Sequence, residues 1–149
     1  ILKNLQKRMK NDYGKFWRQN LNEYFINAEQ EIVEAFSLLA IIKQEEIPSK
    51  DIPFRTQNPD SYIKMKTTVK VSDEAYVFGL LDCVGELKRV IMDSLNRTDS
   101  DFAKKVFVIM QELFQKLEPF TQFSNSFHYL KPKIDAARYA VNDAKKLLK

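Results

Sequence analysis

The sequence predicts an all-α protein with a single domain, residues 1–149. Four stretches carry apolar residues three and four positions apart, which is the spacing of a buried helix face. Only 3 Gly and 5 Pro are available to form turns in 149 residues, so long helices with few breaks are favoured. With 44% hydrophobic residues, the chain is long enough to bury one core.

The first helix is predicted over residues 2–44, and Gly14 can bend it. Three prolines between residues 48 and 59 end the helical pattern, and residues 48–71 are predicted to form an extended linker within the domain. In the end of this linker, YIKMKTTVKV, mostly apolar side chains alternate with mostly lysine side chains, which is the two-residue period of a strand. No partner strand is evident, so an extended loop and a single hairpin arm both remain open.

Three further helices follow the linker. Ser72 can cap the second, which is expected to end near Asn96. The third opens at residues 99–101 and stops before Pro119, because the residue preceding a proline disfavours helical geometry. The last begins around Pro132, a residue that a first helical turn tolerates, and runs into the lysine-rich end.

The composition favours certain cellular compartments and certain classes of binding partner. The net charge of +4 favours polyanionic partners but does not establish nucleic-acid binding. The single cysteine, Cys83, cannot form an internal disulfide and has no thiol partner for a zinc site, which fits the cytoplasm or the nucleus. No apolar run of about 18 residues is present, so no membrane segment is expected.

Two predicted helices each carry a pair of acids on one face. Glu31 and Glu34 are three residues apart in QEIVEAFSLLAII, and Asp82 and Glu86 are four apart in YVFGLLDCVGELKR. Like charges at this spacing repel each other, by about 0.2–0.5 kcal/mol per pair on an exposed helix. A divalent cation would remove this penalty, and Mg²⁺ prefers carboxylate oxygens and bridges to phosphate. Ordinary solvated helix faces explain the same spacing, because 20 acids produce such pairs by chance.

The sequence lacks the residues that other kinds of catalytic site require. A di-iron bundle needs Glu-x-x-His pairs on two helices, whereas the one histidine, His128, follows Asn125 at that distance. The sequence has no glycine-rich phosphate loop, no Gly-x-Ser-x-Gly elbow and no Cys/His pair with catalytic spacing. Hydrolysis through a nucleophilic side chain is therefore not expected.

The same two acidic segments resemble the translin/TRAX family. QEIVEAFSLLAII is similar to the family's QE-x-VEA helix, and DEAYVFGLLDCVGELKRVIMDSL is similar to its signature, which ends in Gly-Glu-Leu-x-Arg. The order and spacing of four helices agree across roughly residues 20–146. The sequence departs from the family's pattern in two places. The family's first N-terminal helix has no counterpart here, and the C-terminal Arg-Gly that is common in the family is missing.

The resemblance implies a helical-bundle subunit of a closed, octamer-like shell that acts on single-stranded RNA. In TRAX-like, catalytic members the positions of Glu31, Glu34 and Asp82 hold the catalytic acids, with Mg²⁺ (or Mn²⁺) as the cofactor. Glu86 is expected as a fourth metal ligand or a supporting acid. The resulting expectation is a metal-dependent endoribonuclease, alone or with translin-like subunits, and the alternative is a non-catalytic scaffold that binds single-stranded RNA or DNA.

Basic residues supply the expected RNA contacts. Arg89 lies one turn beyond Glu86, so it can hold a phosphate or simply neutralise its acidic neighbours. A basic stretch in the first helix stands where the family has RNA-facing residues, although a solvated helix face explains it as well. Its members are Lys7, Arg8, Lys10, Lys15 and Arg18. Lys64, Lys66 and Lys70 in the linker form another candidate set.

Overall fold

The structure, a computed structural model, describes residues 7, 8, 11, 17–56 and 65–149. Side chains are described at residues 7, 8, 11, 24–50 and 69–149. The elements, in chain order, are α1 Trp17–Ile42, β1 Asp51–Thr56, β2 Met65–Lys70, α2 Asp73–Asn96, α3 Ser100–Leu117, a 3-10 segment Glu118–Phe123 and α4 Leu130–Leu147. Four helices pack together, which confirms the predicted all-α class.

Helix α2 is the centre of the bundle, because α1, α3 and α4 all pack against it. Its apolar residues recur around the helix instead of along one stripe, which is the pattern of a helix enclosed by neighbours. Leu87 and Ile91 are completely buried there, together with Met110 from α3 and Ile134 from α4. Each such side chain contributes about 1.5–3 kcal/mol relative to an exposed position.

Gly79 lets α1 and α2 approach each other more closely than side chains normally permit. A Cβ added at this position would lie 2.6 Å from the backbone oxygen of Gln30 and 2.6 Å from Cβ of Val33. Real Cβ atoms do not make contacts this short, so any side chain would push α1 away from α2. Gly85, on the same helix, has open space around its own added Cβ. Helix α1 is therefore fixed tightly at one point along α2.

The start of α2 is capped twice. The Ser72 hydroxyl accepts a hydrogen bond from the Ala75 amide, and Asp73 and Glu74 stand in the first turn, as the helix dipole favours. Both the amide and the hydroxyl of Ser72 donate to Glu29 Oε2 on α1, at 2.9 and 2.8 Å. Glu29 is only 5% exposed, so a buried carboxylate joins α1 to the beginning of α2.

The linker of residues 48–71 contains an antiparallel strand pair, in which Asp51 is the partner of Lys70 and Thr56 is the partner of Met65. The sequence pattern leaves an extended loop and a single hairpin arm open for this linker, and it does not predict β1 as a partner strand. Pro53 explains this, because a strand-interior proline argues against a strand in the sequence. A two-stranded pair tolerates it, because each strand has a free edge.

The later helices end where the sequence places their signals. The Asp99 side chain caps α3 by accepting from the Phe102 amide at 3.1 Å, and the helix stops two residues before Pro119. The tight turn before this cap has Thr98 at a φ of 61°. Helix α4 starts at Leu130, so Pro132 stands in its first turn.

Candidate functional site

The four predicted acids lie on the facing parts of α1 and α2, and we call Glu31, Glu34, Asp82 and Glu86 the acidic cluster. Val33 is fully buried where α1 crosses α2 at Gly79. Glu34 follows Val33 in α1, so the Glu34 carboxylate is half-buried between the two helices. Burial raises the pKa of Glu34 above its ordinary value, and the negative charges of Glu31, Asp82 and Glu86 raise it further. The acids of two separate helices therefore act on one another.

Asp82 is held by a lysine from a third helix. Lys133 Nζ lies 2.6 Å from both carboxylate oxygens of Asp82, and both side chains are largely enclosed, at 25% and 32% exposure. The same ammonium stands over the Phe78 ring, 5.6 Å from its centroid. Lys133 also lowers the pKa of Glu34, against the effect of the acids. It is thus a cation placed inside the acidic cluster.

The other two acids face the solvent more openly. Glu86 is half-buried and pairs with Arg89 one turn along α2, with the guanidinium Nη1 3.2 Å from Oε2. Arg89 is 73% exposed, so this ion pair is a weak surface interaction and the guanidinium can turn to another anion. Glu31 is exposed on α1. The site is consequently open to solvent at Glu31, and Glu34, Asp82 and Glu86 are each partly exposed.

Cys83 lies beneath the acidic cluster in the core. Its thiol is fully buried, which raises its pKa to about 12, and the charges of Glu34, Glu86 and Asp82 act in the same direction. A thiol in this state is neither a nucleophile nor a metal ligand at neutral pH. Cys83 therefore packs in the core and takes no part in the chemistry of the site.

The donor atoms of the acidic cluster fit a hard divalent cation, because all of them are carboxylate oxygens and they carry more negative charge than one lysine neutralises. Their present positions do not close into a ligand set. Among the residues that the structure describes, no three Asp, Glu, His or Cys side chains come close enough to hold a metal ion. Lys133 meanwhile contacts both oxygens of Asp82.

The residue spacing predicts the four acids and Arg89 as site residues, but it does not predict Lys133 beside them. Spacing within one helix shows which residues share a face, whereas Lys133 and Asp82 are 51 residues apart and meet only because α4 packs on α2. The one available signal was LKPK, a pair of lysines at the start of a helix, where positive charge is unfavourable near the dipole. Lysines at that position suggest a partner elsewhere in the fold.

The predicted RNA contacts of the N-terminal stretch are only partly described. Lys7 and Arg8 are helical and exposed. Lys10 and Lys15 lie outside the described residues, and Arg18 lies within α1 at a position where no side chain is described. In the linker, Lys70 is exposed at the end of β2, Lys66 belongs to β2 without a described side chain, and Lys64 is outside the described residues.

A cavity lined mainly by apolar side chains lies away from the acidic cluster. It has a volume of about 490 Å³ and lies between the end of α1 and the face of α3, where Ile41, Ile47, Phe102 and Val106 contribute apolar walls. A single lysine, Lys105, stands at its edge. One acid, Glu45, also lines this cavity, whereas at the acidic cluster several carboxylates from two helices act on one another.

Comparison with known proteins gives one family. The sequence model of the Translin family matches residues 1–147. An uncharacterized protein of Methanocaldococcus jannaschii is similar to this chain at 28% identity over 101 residues, which is 67% of this chain and 38% of that protein. The chain thus aligns with well under half of that relative's length. No solved structure matches the chain. No helix in the described ranges has the length and apolarity needed to cross a bilayer.

Proposed function

The chain belongs to the translin family, and from that premise we propose that it is a metal-dependent endoribonuclease that cleaves single-stranded RNA at the acidic cluster. Family membership by itself points to nucleic-acid binding and oligomerisation. The observation that carries the further step is the gathering of four carboxylates from two packed helices, where Glu31, Asp82 and Glu86 all act on the half-buried Glu34. A surface that only binds RNA has no use for such a concentration of negative charge, because it repels the phosphates.

Glu34 and Asp82 would hold a Mg²⁺ ion, with Glu31 and Glu86 as further ligands or as acceptors for water bound nearby. The ion would supply positive charge to the scissile phosphate and make an attacking water more acidic. The protein's own part is positioning. The tight crossing at Gly79 fixes Glu34 against α2, and Arg89 can exchange Glu86 for a phosphate oxygen of the RNA.

The assembly belongs to the same proposal. A closed, octamer-like shell of such subunits, alone or with translin-like companions, would present the acidic cluster to RNA held by basic residues such as Lys7 and Arg8. Exposed apolar side chains are available for subunit contacts, among them Leu39 and Ile42 on α1 and Val108 on α3, at 46%, 42% and 52% exposure. The catalytic, TRAX-like subtype and a cytoplasmic location complete the proposal.

A non-catalytic scaffold that binds single-stranded RNA or DNA is the second candidate. A specific observation favours it: Lys133 already neutralises Asp82, so this aspartate has a charged partner without a metal ion. A scaffold would bind RNA equally well in EDTA and would keep its affinity when the acids are replaced.

Cleavage of a labelled single-stranded RNA, in Mg²⁺ and in EDTA, tests the proposal. The variants are Glu34→Gln and Asp82→Asn, which preserve the shape of each side chain. The matched controls are Glu112→Gln, an exposed acid on α3, and Asp143→Asn, which lies on α4 and also pairs with a lysine. Size-exclusion chromatography confirms that all four assemble like the wild type.

We expect cleavage that requires Mg²⁺, falls on the order of 100-fold or more in Glu34→Gln and Asp82→Asn, and stays within about twofold in both controls. RNA that remains intact with a correctly assembled wild type, bound with equal affinity in EDTA, would contradict the nuclease and leave the scaffold. Equal losses in the variants and the controls would place the chemistry elsewhere.

A further inference from the structure

Lys133 and Asp82 form an ion pair that is unusual for its surroundings. Both carboxylate oxygens lie 2.6 Å from the ammonium, the lysine comes from a different helix, and each side chain is mostly enclosed. Charge-assisted bonds of this kind are stronger than surface pairs. Glu31, Glu34 and Glu86 belong to the same cluster, and the charges of Glu31 and Glu86 act on Glu34 together with those of Asp82 and Lys133. The ammonium therefore stands where negative charge is greatest.

The second lysine–aspartate pair between the same two helices shows that this arrangement is not needed to join them. Lys88 on α2 bonds only one oxygen of Asp143 on α4, at 3.0 Å, and the other oxygen accepts from Lys146 at 3.1 Å. That aspartate has two cations and no acid cluster around it. Helix joining thus explains Lys88 and Asp143, and it leaves the placement of Lys133 among acids unexplained.

A divalent cation on Asp82 and the Lys133 ammonium exclude each other. Both need the same carboxylate oxygens, and two cations a few ångströms apart repel each other strongly in an enclosed site. Lys133 can move off Asp82 without moving α4, because its flexible stem starts in the first turn of that helix and its side chain reaches solvent at 25% exposure. The anion that arrives with the metal ion is the RNA phosphate.

We infer that Lys133 is a phosphate-binding residue, held on Asp82 in the RNA-free chain and transferred to the RNA backbone when a divalent cation takes Asp82. This inference rests on the proposed function. The exchange separates one ion pair into two, since Asp82 then neutralises the metal ion and Lys133 neutralises the phosphate. Asp82 and Lys133 therefore each have a partner of opposite charge before and after the exchange.

The first half of the exchange, in which a divalent cation displaces Lys133 from Asp82, is tested by Mn²⁺ binding to the RNA-free chain. The loss of the electron paramagnetic resonance signal of free Mn²⁺ measures this binding. Lys133→Met removes the competing charge, so it is expected to bind Mn²⁺ roughly three- to tenfold more tightly than the wild type. Lys133→Arg keeps the charge and is expected to bind like the wild type. Lys88→Met removes the matched lysine outside the acidic cluster and is expected to change nothing. The double variant Lys133→Met/Asp82→Asn is expected to lose the gain.

The second half is tested by the affinity for a fluorescein-labelled single-stranded RNA, with Ca²⁺ or with EDTA, and a gel confirms that the RNA stays intact. Lys133→Met is expected to weaken binding roughly three- to tenfold in Ca²⁺ and by less than about twofold in EDTA, where Asp82 retains the lysine. A general basic contact would weaken binding equally in both conditions, and that result would overturn the inference.

The outcomes separate this inference from the proposed function. If the wild type cleaves RNA with Mg²⁺ while Lys133→Met binds Mn²⁺ no more tightly, the exchange is wrong and the nuclease stands. If Mn²⁺ binding is unaffected by Asp82→Asn and no RNA is cleaved, the metal site itself is absent and both proposals fail.

Discussion

Two lysine–aspartate pairs join α2 to α4, and they differ in what surrounds them. Lys88 and Asp143 lie at one place on this contact, with Lys146 as a second cation, so positive charge is in excess there. Lys133 and Asp82 lie at the other, where three more acids stand nearby and negative charge is in excess. The contact between the same two helices therefore has one place where every acid is paired with a lysine and another where the acids outnumber the lysines.

The difference shows how a function can be separated from packing in this fold. Asp143 has its pKa lowered by hydrogen bonds to Lys88 and Lys146, so folding favours its charge. Glu34 has its pKa raised by burial and by its acidic neighbours, so folding opposes its charge. A chain selected for stability alone would not keep charge where folding opposes it, and such positions are candidates for function.

The largest expected effect concerns Cys83, whose pKa is raised first by burial and then by the charges of the acidic cluster above it. With its pKa raised to about 12 from an ordinary value of 9.0, the thiolate fraction at pH 8 falls about a thousandfold. We expect a thiol-specific disulfide reagent to react with the native chain at least that much more slowly than with the chain in urea. Fast reaction of the native chain would show that the core beneath the acidic cluster opens readily.

The next largest effect concerns the crossing that brings α1 to the cluster. Gly79→Ala is expected to destabilise the fold by about 1–3 kcal/mol, because the added methyl group meets a backbone oxygen that cannot turn away. Gly85→Ala, six residues along the same helix, has open space and is expected to stabilise it by about 0.5–1 kcal/mol. Urea unfolding followed by circular dichroism measures both. Equal effects of the two substitutions would contradict the tight crossing.

The smallest effect tests the charge balance directly. Glu34→Gln is expected to raise the free energy of unfolding at pH 7, by about 0.5 kcal/mol after solvent screening. The folded state holds the Glu34 proton more tightly than the unfolded state, so protonation of Glu34 stabilises the wild type at low pH. The wild type loses this contribution as the pH rises above about 4.5. Thermal unfolding at pH 4 and pH 7 should therefore show a gain in the variant only at the higher pH.

The control for this prediction has the opposite sign. The folded pKa of Asp143 is lowered, so its charge contributes stability above its ordinary pKa range, and this contribution is lost as the pH falls. Asp143→Asn should lower the melting temperature slightly at pH 7 and leave it unchanged in acid. A gain of stability in both variants would show that the two ends of the α2–α4 contact do not differ in charge balance.

Much of the fold was predictable because its signals are local. Ser72 and Asp99 cap the helices that they were expected to begin, and Pro119 follows the end of α3. The acids of the candidate site were also predictable, since spacings of three and four place residues on one face of a helix. Each of these signals lies within a single helix or beside its end.

What the sequence could not supply is contact between distant segments. Lys133 and Asp82 meet only after α4 has packed on α2, and no periodicity within either helix reports that contact. The strand β1 was missed for a similar reason, because its evidence is the partner β2 and its own Pro53 argues against it. Gly79 and Gly85 look alike in the sequence, and only the position of α1 distinguishes them.

The buried bond between Glu29 and Ser72 has a consequence for the order of folding. A serine cap that donates its own amide and hydroxyl to a carboxylate of another helix is complete only when that helix has docked. The first turn of α2 should therefore fray in any intermediate that lacks α1, and amide hydrogen exchange there should report the docking of α1 rather than the helicity of α2.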